Sequence, residues 1–316
     1  MRIAVVGLGK MGSALAVRLL DGGNTVAVWN RSRPAVDRLV ARGAHAESDL
    51  GSVWREASAV LTFLSDDRAV QEVCLGPDGL LSTAPEGALL IEMSTISLGT
   101  SILVAAEAHR RRVDYLRSPV SGNPEVLASG NLTLIVSGES TALARARVIL
   151  ELIGPNILYV GGDEQARVVK LAVNAMLAAT AEMLAEVITL CEACDVERST
   201  VLDVISRSVV GSPFVRYKTP ALVDHQYRAT FTTAMLLKDL KLIAGAAEPV
   251  GVRLPVTELM TTLTASACKA GLSDLDFIAL LPYVQRMANR EPDVLMAPLD
   301  AQPGTYRPFP EKEELS

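Results

Sequence analysis

The chain has 316 residues, of which 49% are hydrophobic and 21% charged, with a formal net charge of -6. That is enough chain for two ordinary domains and a large core. The mixed, slightly acidic charge argues against nucleic acid or an anionic membrane surface as the main partner. Met1-Arg2 runs straight into a strand-like stretch with no cationic, apolar leader, so the expected location is the cytoplasm. No uninterrupted apolar run reaches the roughly 18 residues that cross a bilayer. Of four cysteines, Cys191 and Cys194 form a CxxC pair, but it lies inside a helical pattern with no second pair. They are read as two small apolar residues on one helix face, and no metal is assigned.

In chain order, residues 2–6 form a short apolar run ending at Gly7, as a buried parallel strand does. Residues 11–20 carry apolar side chains at helical spacing, and Asp21-Gly22-Gly23-Asn24 ends that helix. Thr25 to Trp29 reads as a second strand, and further strands are expected over 59–64, 88–92, 113–116 and 132–137. Helical patterns fall at 33–42, 67–74, 97–112 and 140–152. Strands alternating with helices imply a parallel sheet covered on both faces, with room for antiparallel pairing near 132–137. After Gly161-Gly162 the texture changes. Residues 163–194 have neither proline nor glycine and predict one helix of about 30 residues, roughly 45 Å long. Beyond it, helices are separated by Gly211-Ser212-Pro213, Pro249-Val250-Gly251 and Leu272-Ser273-Asp274. The expected fold is an α/β Rossmann domain over 1–162 and an all-α domain over 163–292, joined by the long helix. A loosely packed, proline- and charge-rich tail over 293–316 follows.

Gly7-Leu8-Gly9-Lys10-Met11-Gly12 is a GxGxxG placed after a strand and opening a helix, the setting in which this motif binds a dinucleotide pyrophosphate. Gly7 allows the tight turn, Gly9 the close approach of phosphate, and Gly12 the packing of helix on strand. The second strand ends in Asn30-Arg31-Ser32, without the acidic residue that accepts from an unphosphorylated ribose. Arg31 offers a permanently charged fork suited to phosphate, with Asn30 and Ser32 adding neutral hydrogen bonds. The charge signs favour NADP(H) over NAD(H).

Several ordered segments now coincide: the Gly7–Gly12 turn, Met93-Ser94-Thr95, Ser118-Pro119-Val120-Ser121-Gly122, Gly130-Asn131-Leu132-Thr133, Lys170 with Asn174, and Lys238-Asp239-Leu240. Together, over residues 1–290, they resemble the β-hydroxyacid dehydrogenase family, whose nucleotide domain is like that of 6-phosphogluconate dehydrogenase. The family includes 3-hydroxyisobutyrate dehydrogenases, tartronate semialdehyde reductases and glyoxylate/succinic semialdehyde reductases. The resemblance implies Lys170 as general acid/base, with Asn174, four residues on and so on the same helix face, positioning the reacting oxygen. It implies Leu64, Thr95 and Lys238 beside the cofactor, and Ser121, Gly122 and Asn123 around the substrate carboxylate. Both Lys170 and Asn174 are expected to point into an interdomain cleft. Phe231 is read equally as a wall of the nicotinamide site and as a core aromatic.

Three positions depart from the family pattern. Its Ser-Gly-Gly is Ser121-Gly122-Asn123 here, which adds a donor and an acceptor and favours a substrate with an extra polar group. The glycine-rich start of the lysine helix becomes Glu164-Gln165-Ala166, a stiffer hinge, and Val173 replaces the first of two asparagines. The expected activity is hydride transfer between NADP(H) and a small carboxylate-bearing aldehyde, ketone or hydroxy acid. An imine reductase and a non-catalytic NADP-binding module are the alternatives. The expected partners are a small-molecule substrate and a second copy of the chain, as a homodimer or a tetramer built from it.

Overall fold

The computed structural model describes residues 1–291, so the expected tail over 293–316 lies outside the described residues. Nine strands form one sheet: β1 (Arg2–Val6), β2 (Thr25–Trp29), β3 (His45–Ala46), β4 (Ala59–Thr62), β5 (Leu89–Glu92), β6 (Asp114–Arg117), β7 (Val120–Ser121), β8 (Thr133–Gly138) and β9 (Asn156–Gly161). Their order is β3-β2-β1-β4-β5-β6-β8-β7, with β9 also paired to β8. The six strands from β3 to β6 are mutually parallel, whereas β8 runs antiparallel to β6 and β7. The central strands are apolar along most of their length because both faces are covered, with polar residues at their ends. Ile3 and Val5 join one core with Leu15, Leu19, Ile91 and Leu116. Ala4 and Val6 face the other way, into a core with Trp54, Val60, Leu90 and Val104.

The chain forms two compact units. One is Met1–Met176 with Asp239–Leu254; the other is Leu177–Lys238 with 255–291. The 29-residue helix Gln165–Ala193 therefore begins in the first unit and continues into the second, where the sequence had suggested a division at residue 162. Among the described residues it is the one helix whose length and composition would suffice to cross a membrane, with a mean hydropathy of 1.5 over 18 residues. The sequence reading had found no apolar run of that length. The difference arises because Lys170, Asn174, Glu182 and Glu186 interrupt the run without lowering its mean far. The second unit is helical, with Arg198–Arg207, Pro213–Val223, Pro255–Ala267 and Leu280–Met287 as its main further helices.

Some local expectations shift. The helix expected over 67–74 is a single α-turn, Asp67–Val70, followed by a π-helical turn, Gln71–Leu75. β3, β7 and β9 were not anticipated. Two of them are only two residues long. The third is an edge strand with Leu158 and Tyr159 exposed, so it lacks the burial pattern of its neighbours.

Candidate active site

Every segment singled out for cofactor or substrate contact in the first unit follows the carboxyl end of a strand or lies on the helix that begins there. Gly7 follows β1, Asn30 follows β2, Leu64 lies just past β4, Met93-Ser94-Thr95 follows β5 and Ser118 follows β6. β1, β2, β4, β5 and β6 are parallel, so these segments share one edge of the sheet. The chain leaves β1 for β2 on one side and later returns to β4 on the other, and such a reversal opens a crevice for ligands.

The phosphate turn is built by sterics. Gly7 has φ +89°, and a Cβ there would stand 2.3 Å from the Phe63 carbonyl oxygen. A Cβ on Gly12 would stand 1.9 Å from the Gly7 carbonyl oxygen. A Cβ on Gly9 would meet nothing within 4 Å, so the protein's own packing does not require glycine there. Open space at that one position is what a pyrophosphate approaching the backbone requires. The helix Lys10–Asp21 that follows has no acidic residue in its first turn and no side-chain cap, leaving its positive end for an anion. The residues present thus fit a dinucleotide. The Leu8 side chain is buried in the core and that of Met11 packs against it, half-buried.

Asn30 has a different role from the one expected of it. Its Oδ1 accepts from Leu8 N–H at 2.9 Å, and its Nδ2 donates to Ser32 Oγ at 2.9 Å and to the Ser32 carbonyl at 3.0 Å. The Asn30 amide and the Leu8 N–H, both expected to contact the cofactor, are engaged with the protein itself. Ser32 Oγ accepts from Asn30 and keeps its own proton to donate. Arg31 is exposed at the start of the helix Arg33–Val40, and no carboxylate stands among residues 30–33.

The lysine helix supplies a continuous polar network within the first unit. Lys170 Nζ donates to Asn174 Oδ1 at 2.8 Å, and Asn174 Nδ2 donates to Asp239 Oδ2 at 2.5 Å. Asn174 and Asp239 are buried and Lys170 is half-buried. The Asp239 carboxylate fixes which way the amide points, and the amide oxygen then faces the lysine. Asn174 therefore holds the amine, with both ends of its side chain engaged, where the sequence reading had it positioning the substrate oxygen. Asp239 went unassigned because its contact crosses 65 residues of chain.

One turn earlier, Arg167 is 1% exposed and forms an ion pair with Glu92, which is 0% exposed. Arg167 Nη1 donates to the Ser94 carbonyl at 2.6 Å, Nε to Ser101 Oγ at 3.2 Å, and Nη2 also to Tyr115 Oη at 3.3 Å. Burial works against the guanidinium charge, but Glu92, Tyr115 and Glu164 together hold its pKa above the ordinary arginine value. Burial likewise pushes the Tyr115 hydroxyl up to about 12, keeping it a neutral donor. Glu92 Oε1 accepts from Ser94 N–H at 2.9 Å, and Ser94 Oγ accepts from Leu64 N–H at 2.8 Å. Just before the helix, Arg117 at the end of β6 donates to Glu164 at 2.8 and 2.5 Å. This ion pair takes the place of the glycines that the family pattern puts there. Sequence reading missed both pairs. For Arg167–Glu92 the signal was a charge next to apolar neighbours at each position, Glu92 after Leu-Leu-Ile and Arg167 between Ala166 and Val168.

The substrate segment is explained in part by packing. Gly122 has φ +139°, and a Cβ there would stand 2.6 Å from Leu132 Cδ1, so the fold itself requires glycine. Asn123 caps the short helix Pro124–Ala128, its Oδ1 accepting from Val126 N–H at 2.9 Å. Its Oδ1 thus has a structural role as a helix cap, apart from the substrate contact expected of it. Ser121 lies on β7 opposite Thr133 and is half-buried. In the second unit, Lys238 is half-buried. Phe231 packs edge-on against Phe277, with ring centroids 5.6 Å apart, in an aromatic cluster with Phe214.

Known proteins resemble this chain along most of its length. Residues 2–161 match the NAD binding domain of 6-phosphogluconate dehydrogenase, and residues 165–284 match the NAD-binding domain of NADP-dependent 3-hydroxyisobutyrate dehydrogenase. The chain is 33% identical to the NAD-dependent L-serine dehydrogenase of Pseudomonas aeruginosa, over 87% of this chain and 95% of that one. It is 27% identical to the chloroplastic glyoxylate/succinic semialdehyde reductase 2 of Arabidopsis thaliana, over 92% and 81%. Among solved structures, Mycobacterium tuberculosis 3-hydroxyisobutyrate dehydrogenase with L-serine is similar at 26% identity and a TM-score of 0.80, covering 90% of this chain and 99% of that one.

Proposed function

The chain belongs to the β-hydroxyacid dehydrogenase family of NAD(P)-binding oxidoreductases, and from that premise we propose that it is an NADP(H)-dependent reductase of a small carboxylate-bearing aldehyde or ketone. The observation that carries the reading is the Lys170–Asn174–Asp239 chain, which holds a cationic amine on the helix that starts at the strand-end edge. The turn Gly7–Gly12 would hold the pyrophosphate through its backbone, and Arg31 with the Ser32 hydroxyl would hold the ribose phosphate. When bound, the reduced nicotinamide supplies the hydride. Lys170 in its ammonium form donates a proton to the carbonyl oxygen, and in the reverse direction the neutral amine takes it back from the hydroxyl. Asn174 keeps the amine aimed, and Asp239 stabilises its positive charge through the intervening amide. Ser121 Oγ and the adjoining backbone would receive the substrate carboxylate without adding charge.

The relatives act on L-serine in one case and on glyoxylate or succinic semialdehyde in another, which supports a substrate class of small acids with a hydroxyl or carbonyl near the carboxylate. The serine dehydrogenase uses NAD, so the preference for NADP(H) rests on this chain's own Arg31. A charge-assisted contact to phosphate contributes about 1.5–3 kcal/mol. Arg31→Ala should therefore raise the KM for NADPH roughly 10- to 100-fold and leave that for NADH nearly unchanged. Equal effects on both coenzymes would remove Arg31 from the phosphate site. The main test follows NADPH oxidation at 340 nm against semialdehydes, keto acids and cyclic imines. Turnover of an acid substrate that falls by about 100-fold or more in Lys170→Ala supports the assignment. Turnover only of the imines, or full activity of the variant, rejects it.

A further inference from the structure

We propose that Arg167 is a positioning residue for this reaction: it locks the first turn of the helix that carries Lys170 onto the Met93-Ser94-Thr95 segment, and so fixes where the amine stands relative to the nicotinamide end of the cofactor site. The inference deepens the reading above and rests on it. Arg167 is fully buried, and its guanidinium reaches acceptors on three separate segments: Glu92 at the end of β5 with the Ser94 carbonyl just past it, Ser101 on the next helix, and Tyr115 on β6. The Ser94 peptide is gripped from both sides. Its N–H donates to Glu92 and its carbonyl accepts from Arg167, while its hydroxyl accepts from Leu64 N–H. Leu64 in turn packs at the phosphate turn, with its Cδ2 2.9 Å from where a Gly7 Cβ would be. The phosphate turn, the Thr95 segment and the lysine helix are thereby tied by consecutive contacts.

Lys170 follows Arg167 by three residues, one turn along a rigid helix and on the same side. Any slip of that turn against Ser94 is carried directly to Nζ, and a misplacement of about 1 Å can cost about 100-fold in rate. A need for stability alone explains the arrangement poorly, since well-packed apolar residues generally do as well as a buried ion pair or better. What they cannot supply is a planar fork whose donors set both direction and register. A lysine at 167 keeps the charge but has a single nitrogen and cannot reach the same set of acceptors.

The test uses the full chain with Arg167→Lys and, to keep a folded reference without the clamp, the double variant Glu92→Met/Arg167→Met. Single-turnover NADPH oxidation by stopped flow, NADPH affinity by fluorescence titration, thermal melting and amide hydrogen exchange over 93–96 are read together. The expected result is a single-turnover rate at least about tenfold lower in both variants, with NADPH affinity and substrate KM within about twofold of the parent. Faster exchange at Ser94 and Thr95 accompanies it, and the double variant melts no lower than the parent. A folded double variant that turns over within twofold of the parent overturns the positioning role while leaving the proposed activity intact. A parent chain inert across the substrate panel overturns the activity, and the positioning role with it, even where the exchange data show the clamp intact.

Discussion

Glu92 in the first unit and Glu182 in the second are both buried glutamates, at 0% and 2% exposure, yet their surroundings differ completely. Glu92 accepts from Ser94 N–H, Thr62 Oγ1 and Arg167, so each of its oxygens has a donor. Both oxygens of Glu182 are buried with no hydrogen-bond partner among the described residues. Burial, with Glu186 one turn along the helix adding like charge, pushes the Glu182 carboxyl up to about 7. The contrast teaches that burial does not by itself tell what a charge does. A partnered carboxylate organises the backbone around it, and an unpartnered one becomes a proton acceptor near neutral pH.

The largest expected effect comes from breaking the partnered case. Arg167→Met leaves the Glu92 charge buried and uncompensated, and should lower stability in urea by about 3–5 kcal/mol. Adding Glu92→Met should restore that loss in full. If the double variant stays as unstable as the single one, packing around 167 and not the stranded charge is responsible.

The unpartnered case should behave in the opposite sense. The folded Glu182 carboxyl titrates near 7 against about 4.5 in an unfolded chain, so between those values the native state binds the extra proton. Stability therefore falls as pH rises through that window, with no penalty below about 4.5 and the full penalty, of order 3 kcal/mol, above about 7. Glu182→Gln removes the charge and should be more stable than the parent by about 2–3 kcal/mol at pH 8, converging on it near pH 4.5. A stability difference independent of pH would show that Glu182 is already paired or hydrated. The smallest effect is expected from Glu186→Gln, which removes the weaker of the two causes. It should lower the apparent Glu182 titration point in a pH series of melting curves and leave the pH 4.5 stability unchanged.

What could be read from sequence alone divides along the same line, between local and distant constraint. The Gly7–Gly12 turn is legible because its three glycines fall within six residues after a strand, and the Lys170–Asn174 contact because one helical turn separates the pair. Asp239 and the Arg167–Glu92 pair are fixed by contacts across 65 and 75 residues, which no local pattern encodes. A lone arginine in Ala166-Arg167-Val168 and a lone glutamate closing Leu-Leu-Ile-Glu hint that each needs a partner, without saying which. Asn30 and Asn123 stand out in the sequence as polar residues beside the expected site, but an amide that caps or bridges backbone reads the same in sequence as one that faces a ligand. The π-helical turn at Gln71–Leu75 carries no signal at all, since its composition is that of an ordinary helix.

The carboxamide of Asn30 has a consequence for anyone altering coenzyme choice. Asn30→Asp, the obvious first step toward an NADH enzyme, swaps the Nδ2 donor for a second acceptor. The bond to the Ser32 carbonyl would be cut and the loop before Arg33–Val40 loosened, while the Ser32 hydroxyl would turn to donate to the new carboxylate and the hold on Leu8 N–H would survive. Selectivity and the stiffness of the pyrophosphate cradle are thus mechanically coupled at position 30 and separable at position 31, where exchange of the side chain leaves that bridge whole.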